Sequence, residues 1–389
     1  MIALDVTAGI IDGGGTGEHV RALAAALGLP SDDAAASSET VDAATRPAAP
    51  IIRTVACPGE STRHHGTGGW SRRLRTLRRD LWWAQRGSSA AARAVGARVL
   101  HCPIPLGPAR PALPVIVTAH DLFALTHPQD FRWWHRQAAA RLMPPLLRRA
   151  HRVIAVSAAT RDALIAVLDI APERIVVIPN GVAARFRPRR ADEAALRTLR
   201  ERYRLPERFV LTVGAVEPRK NLPTLLRALS LAQARDGGRD LHLVHAGPPG
   251  WLDGPVRTTE RDLRLSARVQ WLGAIPADDL AGLYNLATVV AYPSLREGFG
   301  MPVAEAFASG AAVLTGRGGA LGELAGDVAL TCDVTSPEAL ADGLLALWTD
   351  EVSRAARAAR GPSRAAAWQW PTVADRTRQV YRDVLAEVS

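Results

Sequence analysis

The chain has 389 residues, of which 48% are hydrophobic, and a formal net charge of +10. This length fits two domains of roughly 180 residues better than a single core, and no apolar run reaches the roughly 18 residues of a membrane-spanning helix. The N-terminus has no basic region followed by an apolar stretch, so we expect no secretory signal peptide. The widely spaced Cys57, Cys102 and Cys332 argue against a disulfide framework or a zinc site and favour reduced thiols.

The positive charge is carried almost entirely by arginine. Lys220 is the single lysine among the 48 basic residues, and the arginines are scattered through Ala/Arg-rich helical segments. That scatter is typical of a coding bias rather than of a nucleic-acid-binding surface. Lys220 follows Arg219 shortly after an apolar strand predicted at 209–213. A compact ammonium beside a planar guanidinium suits a diphosphate, so this position favours an anion site.

The first half opens with a strand, a glycine loop and a helix. We predict the strand at 2–6, the loop at 13–17 and the helix at 20–27. The spacing is not the dinucleotide-binding fingerprint, because Glu18 stands where that motif requires its third glycine.

Two stretches of the first half lack a clear period. Residues 30–50 are rich in Ala, Ser and Asp, which is typical of a flexible connection. Residues 57–70 contain four glycines and two adjacent histidines. This second stretch has two interpretations, a flexible loop or a mobile lid over an acceptor.

Apolar strands alternate with helical segments along the rest of the chain. This alternation predicts a parallel, doubly wound α/β sheet in each half. Ligands of such sheets bind outside the carboxyl ends of the strands, so we expect the active site in a cleft between the two sheets. The further predicted strands are 51–56, 97–100, 115–119, 153–156 and 175–179 in the first half and 209–213, 241–246, 269–272, 288–292, 312–315 and 328–331 in the second.

The most informative segment is 292–310, which reads YPSLREGFGMPVAEAFASG. It joins a strand end to a helix start through a glycine-rich turn, with Pro302 in the first turn of the helix. Such a turn directs free amides outward at the positive end of a helix dipole, which suits an anionic ligand. Glu297 precedes the turn and Glu305 lies about one turn inside the helix. A nucleotide sugar lying over the turn would meet phosphate-binding amides in its middle and one carboxylate at each of its ends. The alternative is a simple tight connection with a solvated Glu305.

Several segments resemble the family 4 retaining glycosyltransferases of the GT-B fold. In the second half they are 213–222, 292–310 and 322–329; in the first half they are His120-Asp121 with 128–131, 156–157 with Arg161, and 178–182. The closing 368–370 and 381–385 resemble the C-terminal helix that crosses back to the first domain. The resemblance implies two Rossmann-like domains facing a central cleft. The expected acceptor domain is 1–185, completed by the helix 372–389, and the expected nucleotide-sugar domain is 186–371.

The resemblance also assigns roles. Arg219 and Lys220 are expected to bind the diphosphate, Glu297 to contact the hydroxyls of the transferred sugar, and Glu305 to accept from the ribose. His120 is expected near the transferred sugar, across the cleft. The full catalytic set is His120, Arg219, Lys220 and Glu297; the nucleotide-sugar set is Gly214, Arg219, Lys220, Glu297, Gly298, Phe299, Gly300, Met301 and Glu305; the acceptor-side set is Gly14, Gly15, Thr16, Gly17, His120 and Asp121.

Glycosyl transfer builds charge on the departing diphosphate, so preorganised cations and amides supply the main stabilisation. No Asp-x-Asp pair occurs in a suitable loop, so we expect no metal and no cofactor beyond the nucleotide sugar. In the retaining family the acceptor hydroxyl attacks the face that the leaving group departs from, and the phosphate takes its proton. Glu297 is then an orienting group, with a covalent nucleophile as the alternative; the alternative for His120 is a core histidine.

Other functions stay open on the same scaffold. A sugar-nucleotide epimerase or a phosphorylase would share the GT-B fold, although a pyridoxal-phosphate phosphorylase is disfavoured because Lys220 is the only lysine for its Schiff base. A basic nucleic-acid-binding module is the non-enzyme alternative. We expect an enzyme without a nucleic-acid partner.

The expected substrates are those of surface polysaccharide or glycolipid synthesis. A GDP-mannose-type donor, for mannosyl or rhamnosyl-like transfer, is favoured over UDP- or dTDP-sugars, and the acceptor is a glycan or a lipid-linked glycan. Arginine and tryptophan are mixed in 72–83 and 131–149, which favours contact with an anionic membrane; solvated faces with buried tryptophans are the alternative. We expect a cytoplasmic enzyme, in peripheral contact with the inner face of the cell membrane.

Overall fold

The structure is a computed structural model that describes residues 1–11, 15–29, 50–57, 78–190, 193–250 and 253–389. The chain divides into two compact units. Unit 1 comprises Met1–Gly181 with Trp370–Ser389, and unit 2 comprises Val182–Gln369. These divisions fall a few residues before the expected boundaries at 185 and 371. Parts of four predicted features lie outside the described residues: Gly14, the connection at 30–49, the loop at 58–70 and the arginines at 72–77.

The sheet of unit 1 is parallel throughout. Its strands are β1 (Ile2–Asp5), β2 (Ile52–Val55), β3 (Val99–Cys102), β4 (Val115–Ala119), β5 (Arg152–Ala155) and β6 (Ile175–Val177). They lie in the order β2-β1-β3-β4-β5-β6. Strands such as VIVTA of β4 are mostly apolar and fully buried, as expected of a parallel sheet that is covered on both faces.

The sheet of unit 2 is built in the same way. Its strands are β7 (Val210–Val213), β8 (Leu243–Ala246), β9 (Val269–Gly273), β10 (Val289–Tyr292), β11 (Val313–Gly316) and β12 (Leu330–Cys332). The order is β12-β11-β10-β7-β8-β9, and all pairs are parallel. The chain therefore leaves β7 toward β8 and β9 on one side and returns to β10 on the other. This reversal makes the carboxyl ends of β7 and β10 the topological switch point, where ligands of open α/β sheets bind.

Helices cover both sheets. In chain order the α-helices of the described residues are α1 (Thr7–Ile11), α2 (Gly15–Ala26), α3 (Ser88–Ala94), α4 (Phe123–Thr126), α5 (Trp133–Arg149), α6 (Ala158–Leu168), α7 (Ala194–Tyr203), α8 (Leu222–Gln233), α9 (Gly254–Asp262), α10 (Ala277–Leu286), α11 (Met301–Ala308), α12 (Gly319–Ala325), α13 (Pro337–Thr349), α14 (Glu351–Ala365) and α15 (Trp370–Glu387). Within the described part of the chain, no helix combines the length and the apolar character needed to cross a bilayer.

In unit 1, α2 and α15 cover one face of the sheet. Leu23 of α2 and Val380 of α15 belong to one buried cluster with Ile2 and Ile116 of the strands. Tyr381 also fastens α15 to the sheet, because its hydroxyl lies 2.6 Å from Nδ1 of the buried His101.

The N-terminal pattern differs from the prediction in one respect. The helix predicted at 20–27 begins at Gly15, so that Gly15, Thr16 and Gly17 form its first turn and not a loop. Glycine lowers helix stability by about 1 kcal/mol relative to alanine. Packing outweighs this cost, since Val20, Leu23 and their neighbours on the same face are buried.

The predicted fold class of two doubly wound parallel α/β sheets is otherwise confirmed. Each predicted strand is present, and its ends differ from the prediction by no more than about two residues. The reversal of chain direction between β7 and β10 brings parts of two segments singled out in the sequence, 213–222 and 292–310, to neighbouring strand ends.

Candidate active site

Two loops meet at the carboxyl ends of β7 and β10. The loop after β7 ends in a 3₁₀ turn, Pro218–Lys220. The backbone carbonyl of Arg219 accepts a hydrogen bond from Leu295 N at 2.8 Å and lies 3.0 Å from Ser294 Oγ. Asn221 adds a third link, since its Nδ2 donates to Pro293 O at 3.3 Å. These bonds hold the basic turn of the first loop against the acidic segment of the second.

One carboxylate oxygen collects the side chains of this site. Oε1 of Glu297 accepts hydrogen bonds from Arg219 Nη1 at 2.6 Å, Lys220 Nζ at 2.7 Å, Ser294 Oγ at 2.7 Å and Tyr292 OH at 2.8 Å. Lys220 Nζ also donates to the hydroxyl of Tyr292. Within the described part of the chain, Oε2 of Glu297 takes part in no hydrogen bond. The second oxygen is therefore available to a ligand.

The charges of this cluster are set by burial and by each other. Only 11% of the side chain of Glu297 is exposed, and the same is true of Lys220. Burial alone would raise the pKa of Glu297, but the charges of Lys220 and Arg219 outweigh it and lower that pKa to about 2. Burial lowers the pKa of Lys220, and the Glu297 carboxylate opposes that change. Glu297 is thus ionised at neutral pH and holds both cations.

Gly214 gives Lys220 its room. Its φ is +131°, and a Cβ there would lie 3.2 Å from Lys220 Cε. Gly247 allows the backbone after β8 to approach the backbone of Gly214, because a Cβ at position 247 would lie 1.9 Å from Gly214 O. Gly214 is therefore required by its backbone conformation, and Gly247 is required by close approach to the backbone of Gly214.

The glycine-rich turn leads into α11. Gly300 has φ +109°, precedes Met301 at the helix start, and makes no side-chain cap. The side chain of Phe299 is buried and packs edge-on against Trp368, with ring centroids 5.9 Å apart. Only the backbone of this turn is thus offered to a ligand, at the end of a helix where the dipole is positive.

Glu305 lies on the same helix and has a fixed orientation. Its Oε2 accepts a hydrogen bond of 2.9 Å from the hydroxyl of Tyr284, a fully buried residue of α10. Burial and the nearby Glu305 carboxylate raise the pKa of Tyr284 well above its usual value, so the phenol stays a hydrogen-bond donor. Glu305 is held by a neighbour and is not a freely solvated side chain.

The acceptor-side residues of the sequence prediction lie in unit 1. His120 follows β4, and its Nε2 lies 3.1 Å from the carbonyl of Pro103, so Nε2 carries the proton. Burial lowers the pKa of His120 to about 4, and the ring is neutral. Asp121 accepts from Phe123 N at 2.9 Å at the start of α4. Gly15, Thr16 and Gly17 begin α2, and Gly14 lies outside the described residues.

Sequence reasoning missed the neutral partners of the site. Tyr292 and Ser294 stand five and three residues before Glu297, and both donate to its Oε1. The presence of a tyrosine and a serine so close to Glu297, at a strand end, could have indicated these two hydrogen bonds. Tyr284 gave none, because it lies on another helix, 21 positions from Glu305.

Comparisons with known proteins agree with this geometry. The family described as "Glycosyl transferases group 1" matches residues 198–364, and "Glycosyltransferase Family 4" matches residues 34–186. The D-inositol 3-phosphate glycosyltransferase of Corynebacterium glutamicum (strain R) is 30% identical over 285 residues, which cover 70% of this chain and 68% of that protein.

The chain belongs to the family 4 glycosyltransferases. The family resemblance and the enzyme class expected from the sequence are thereby confirmed, and the epimerase, phosphorylase and nucleic-acid-binding alternatives are not favoured.

Two further relatives extend the comparison of this glycosyltransferase. The O-antigen chain mannosyltransferase B of Escherichia coli is 29% identical over 273 residues, covering 69% of this chain and 70% of that one. The crystal structure of Anabaena Alr3699/HepE in complex with UDP and glucose superposes with a TM-score of 0.71 at 18% identity, covering 98% and 99% of the two chains. That likeness concerns the fold, and it confirms the predicted GT-B class.

Proposed function

We propose that this glycosyltransferase moves a hexosyl unit, with mannosyl favoured, from a nucleotide-diphospho-sugar to a glycan or lipid-linked acceptor in the synthesis of a cell-surface polysaccharide or glycolipid. The observation that carries the proposal is the convergence of Lys220, Arg219 and Glu297 beside the start of α11. A partly buried pair of cations next to the backbone amides at a helix start binds an anion, and a carboxylate in the same cluster binds hydroxyls. A sugar joined to a diphosphate presents both groups.

The diphosphate would lie against Lys220 and the amides of 298–301. An ammonium has three N–H bonds, and Lys220 uses two of them, on Glu297 and Tyr292. The third is left for a phosphate oxygen. Arg219 would share the charge that develops on the leaving nucleotide, and such preorganised stabilisation is commonly the largest single contribution to catalysis.

Glu297 would orient the transferred sugar through Oε2. Its Oε1 is occupied by four donors, so only the second oxygen can accept from a sugar hydroxyl. We propose an orienting role and not covalent catalysis, because a carboxylate bonded to two cations is a poor nucleophile. Glu305, fixed by Tyr284, would accept from the ribose.

The proposed reaction retains configuration at the anomeric carbon. A bond forms between the acceptor oxygen and C1, the bond between C1 and the phosphate oxygen breaks, and the acceptor proton passes to that phosphate oxygen on the same face. The residues of unit 1 serve the acceptor side: Gly14 to Gly17, His120 and Asp121. Nδ1 of the neutral His120 has no hydrogen-bond partner among the described residues and would accept from a hydroxyl, since Nε2 is used on Pro103.

The preferred donor is a GDP-mannose-type sugar, with UDP- and dTDP-sugars as alternatives. A relative named as a mannosyltransferase supports the first choice, and a structural relative crystallised with UDP and glucose supports the second. We further propose that transfer needs no metal, because two cationic side chains and the amides of α11 neutralise the diphosphate.

We also propose a cytoplasmic location with peripheral contact at an anionic membrane. Trp133 and Trp134 at the start of α5 are 66% and 47% exposed, and the guanidinium of Arg132 lies 5.2 Å from the ring of Trp134. Trp83, also considered for this face in the sequence, is buried and donates from Nε1 to Asp5. Vesicle cosedimentation of the wild type and W133A/W134A tests the contact: equal binding at low salt contradicts it.

A thermal-shift panel tests the proposed function. The melting temperature of the purified protein is measured separately with GDP-mannose, with UDP-glucose and with a dTDP-deoxysugar. We expect the sugar of one nucleotide base to raise the melting temperature by several degrees. Incubation of that donor with a glycan acceptor should then release the nucleoside diphosphate, with the anomeric configuration of the product read by NMR. Undiminished rates in EDTA are expected. No stabilisation and no diphosphate release with any of the donors would overturn the proposal.

A further inference from the structure

A buried histidine in unit 1 has polar atoms that the site described above does not use. His19 lies in the first half of α2 and is 8% exposed. Among the described residues, neither Nδ1 nor Nε2 of His19 has a hydrogen-bond partner. A neutral imidazole carries one donor and one acceptor, and each is costly to bury unpaired.

His19 does not stand alone. Its ring meets the ring of His120 edge-on, with centroids 4.6 Å apart, and lies 5.3 Å from the ring of Trp370. His120 and Trp370 are only partly buried, so a small group can approach this ring cluster from solvent. His120 contributes a further acceptor, Nδ1, because its Nε2 is bonded to Pro103 O at 3.1 Å.

The chemistry of these nitrogens selects the ligand. The pair offers a donor and an acceptor on His19 and an acceptor on His120, all without a formal charge, because burial lowers the pKa of both rings. A phosphate or carboxylate would gain little binding energy here, because its oxygens would face unprotonated ring nitrogens that cannot donate a hydrogen bond. A hydroxyl donates one hydrogen bond and accepts another, which is what the pair requires.

We propose that His19 binds a sugar hydroxyl beside His120 and so acts as a specificity-determining residue of the transfer reaction. The hydroxyl belongs either to the acceptor or to the transferred sugar. This inference rests on the proposed function and adds to it a contact on α2 that neither the sequence pattern nor the family comparison assigns.

The unpaired nitrogens give the proposal a readout besides activity. Replacing His19 by phenylalanine keeps an aromatic ring in place and removes two unsatisfied buried polar atoms. We expect H19F to raise the melting temperature by about 2–4 °C. The matched control is His101, another buried histidine of unit 1, whose nitrogens pair with Tyr381 OH at 2.6 Å and Thr118 Oγ1 at 2.9 Å. H101F should lower the melting temperature, because it leaves two hydroxyls without this partner.

Kinetics on the donor found by the thermal-shift panel complete the test. H19F should lower kcat/KM about 10- to 100-fold, the loss expected when a bound hydroxyl is left unpaired, and H19Q should restore part of the rate. If the hydroxyl belongs to the acceptor, the acceptor KM rises while hydrolysis of the donor without acceptor is unchanged. If it belongs to the transferred sugar, the donor KM rises and that hydrolysis slows.

The outcomes separate this inference from the proposed function. If the wild type transfers sugar and the rate of H19F is within twofold of the wild-type rate, His19 only packs. A lower melting temperature for H19F leads to the same conclusion. Either result overturns this inference and leaves the proposed function intact. Absence of transfer by the wild type with every donor overturns the proposed function and this inference with it.

Discussion

Lys220 donates a hydrogen bond of 2.7 Å from Nζ to Oε1 of Glu297, which lies 77 positions later in the chain. Arg219 donates to the same oxygen at 2.6 Å. The two cations and the carboxylate therefore form one partly buried cluster, and the loss of any member leaves the others uncompensated. Breaking such a cluster by removing one partner is strongly destabilising, so a variant of any of the three residues should change both stability and binding.

Replacing both cations should abolish tight binding of the nucleotide. In R219A/K220A we expect the affinity for GDP or UDP to fall at least about 100-fold, since each hydrogen bond to a charged group contributes about 1.5–3 kcal/mol. Isothermal titration calorimetry measures this directly. R202A is the control, because Arg202 pairs with Asp279 at 3.0 Å in the same unit and should leave the affinity unchanged. Equal affinity in R219A/K220A and the wild type would remove the basis of the proposed function.

The ion pairs of Glu297 should appear in the pH dependence of stability. Its pKa falls from an ordinary value of 4.5 to about 2 in the folded protein. A lowered carboxyl pKa stabilises the fold fully above pH 4.5, and this contribution is lost as the pH falls toward 2. We expect E297Q to cost on the order of 3 kcal/mol at pH 7, and the difference from the wild type to shrink below pH 4.5. Urea denaturation of both proteins between pH 3 and 7 measures it; a pH-independent difference would contradict the assigned ion pairs.

The local parts of this architecture were predictable from the sequence. Each strand is a short apolar run between turn residues, and the glycine-rich turn before α11 lies within a single segment with Glu297 and Glu305. The single lysine pointed to the loop after β7 without any knowledge of the sheet. These signals depend on residues that are near one another in the chain.

The remaining parts depend on strand order and packing. The sequence contained no sign that the chain reverses at β7, which is what brings Lys220 to Glu297. Tyr284 reaches Glu305 only because α10 packs against α11. The glycine loop predicted at 13–17 was wrong for Gly15 to Gly17, because burial of the α2 face outweighs the low helix propensity of glycine. Contacts of this kind follow from the tertiary fold and leave no local pattern.

Tyr284 should affect binding of the nucleotide through Glu305. Y284F removes the 2.9 Å bond that orients Oε2 of Glu305, and we expect the KM for the nucleotide sugar to rise about three- to tenfold, in line with a net hydrogen-bond contribution of about 0.5–1.5 kcal/mol. Y203F is the matched control, since the Tyr203 hydroxyl donates to Asp279 at 2.6 Å outside the site. An equal KM for Y284F and Y203F would show that the bond from Tyr284 to Glu305 does not contribute to nucleotide binding.

The neutral histidines His101, His120 and His245, of which His120 is partly buried, should make the fold sensitive to mild acid. Burial lowers the pKa of His120 and His245 to about 4 and that of His101 to about 3, from an ordinary value of 6.5. Below pH 6.5 the unfolded chain binds protons that the folded chain does not, so the free energy of unfolding should fall as the pH drops from 6.5 toward 4. The slope is up to about 1.4 kcal/mol per pH unit for each histidine. Denaturation midpoints at pH 7.5, 6.5 and 5.5 test this, and a flat profile would contradict neutral histidines in the core.

Gly300 should tolerate no side chain. Its φ of +109° disfavours other residues, and a Cβ would lie 2.7 Å from Leu321 Cδ2. We expect G300A to lower the free energy of unfolding by about 1–3 kcal/mol and to weaken nucleoside diphosphate binding, because the strain falls on the turn that presents the amides before α11. G254A is the control: Gly254 has no positive φ, and a Cβ there meets no atom within 4 Å in the described part of the chain. The melting temperatures of both variants measure the stability loss, and calorimetry with a nucleoside diphosphate measures the change in affinity. A G300A protein with the affinity and stability of G254A would show that the backbone of this turn is neither strained nor in contact with the phosphates.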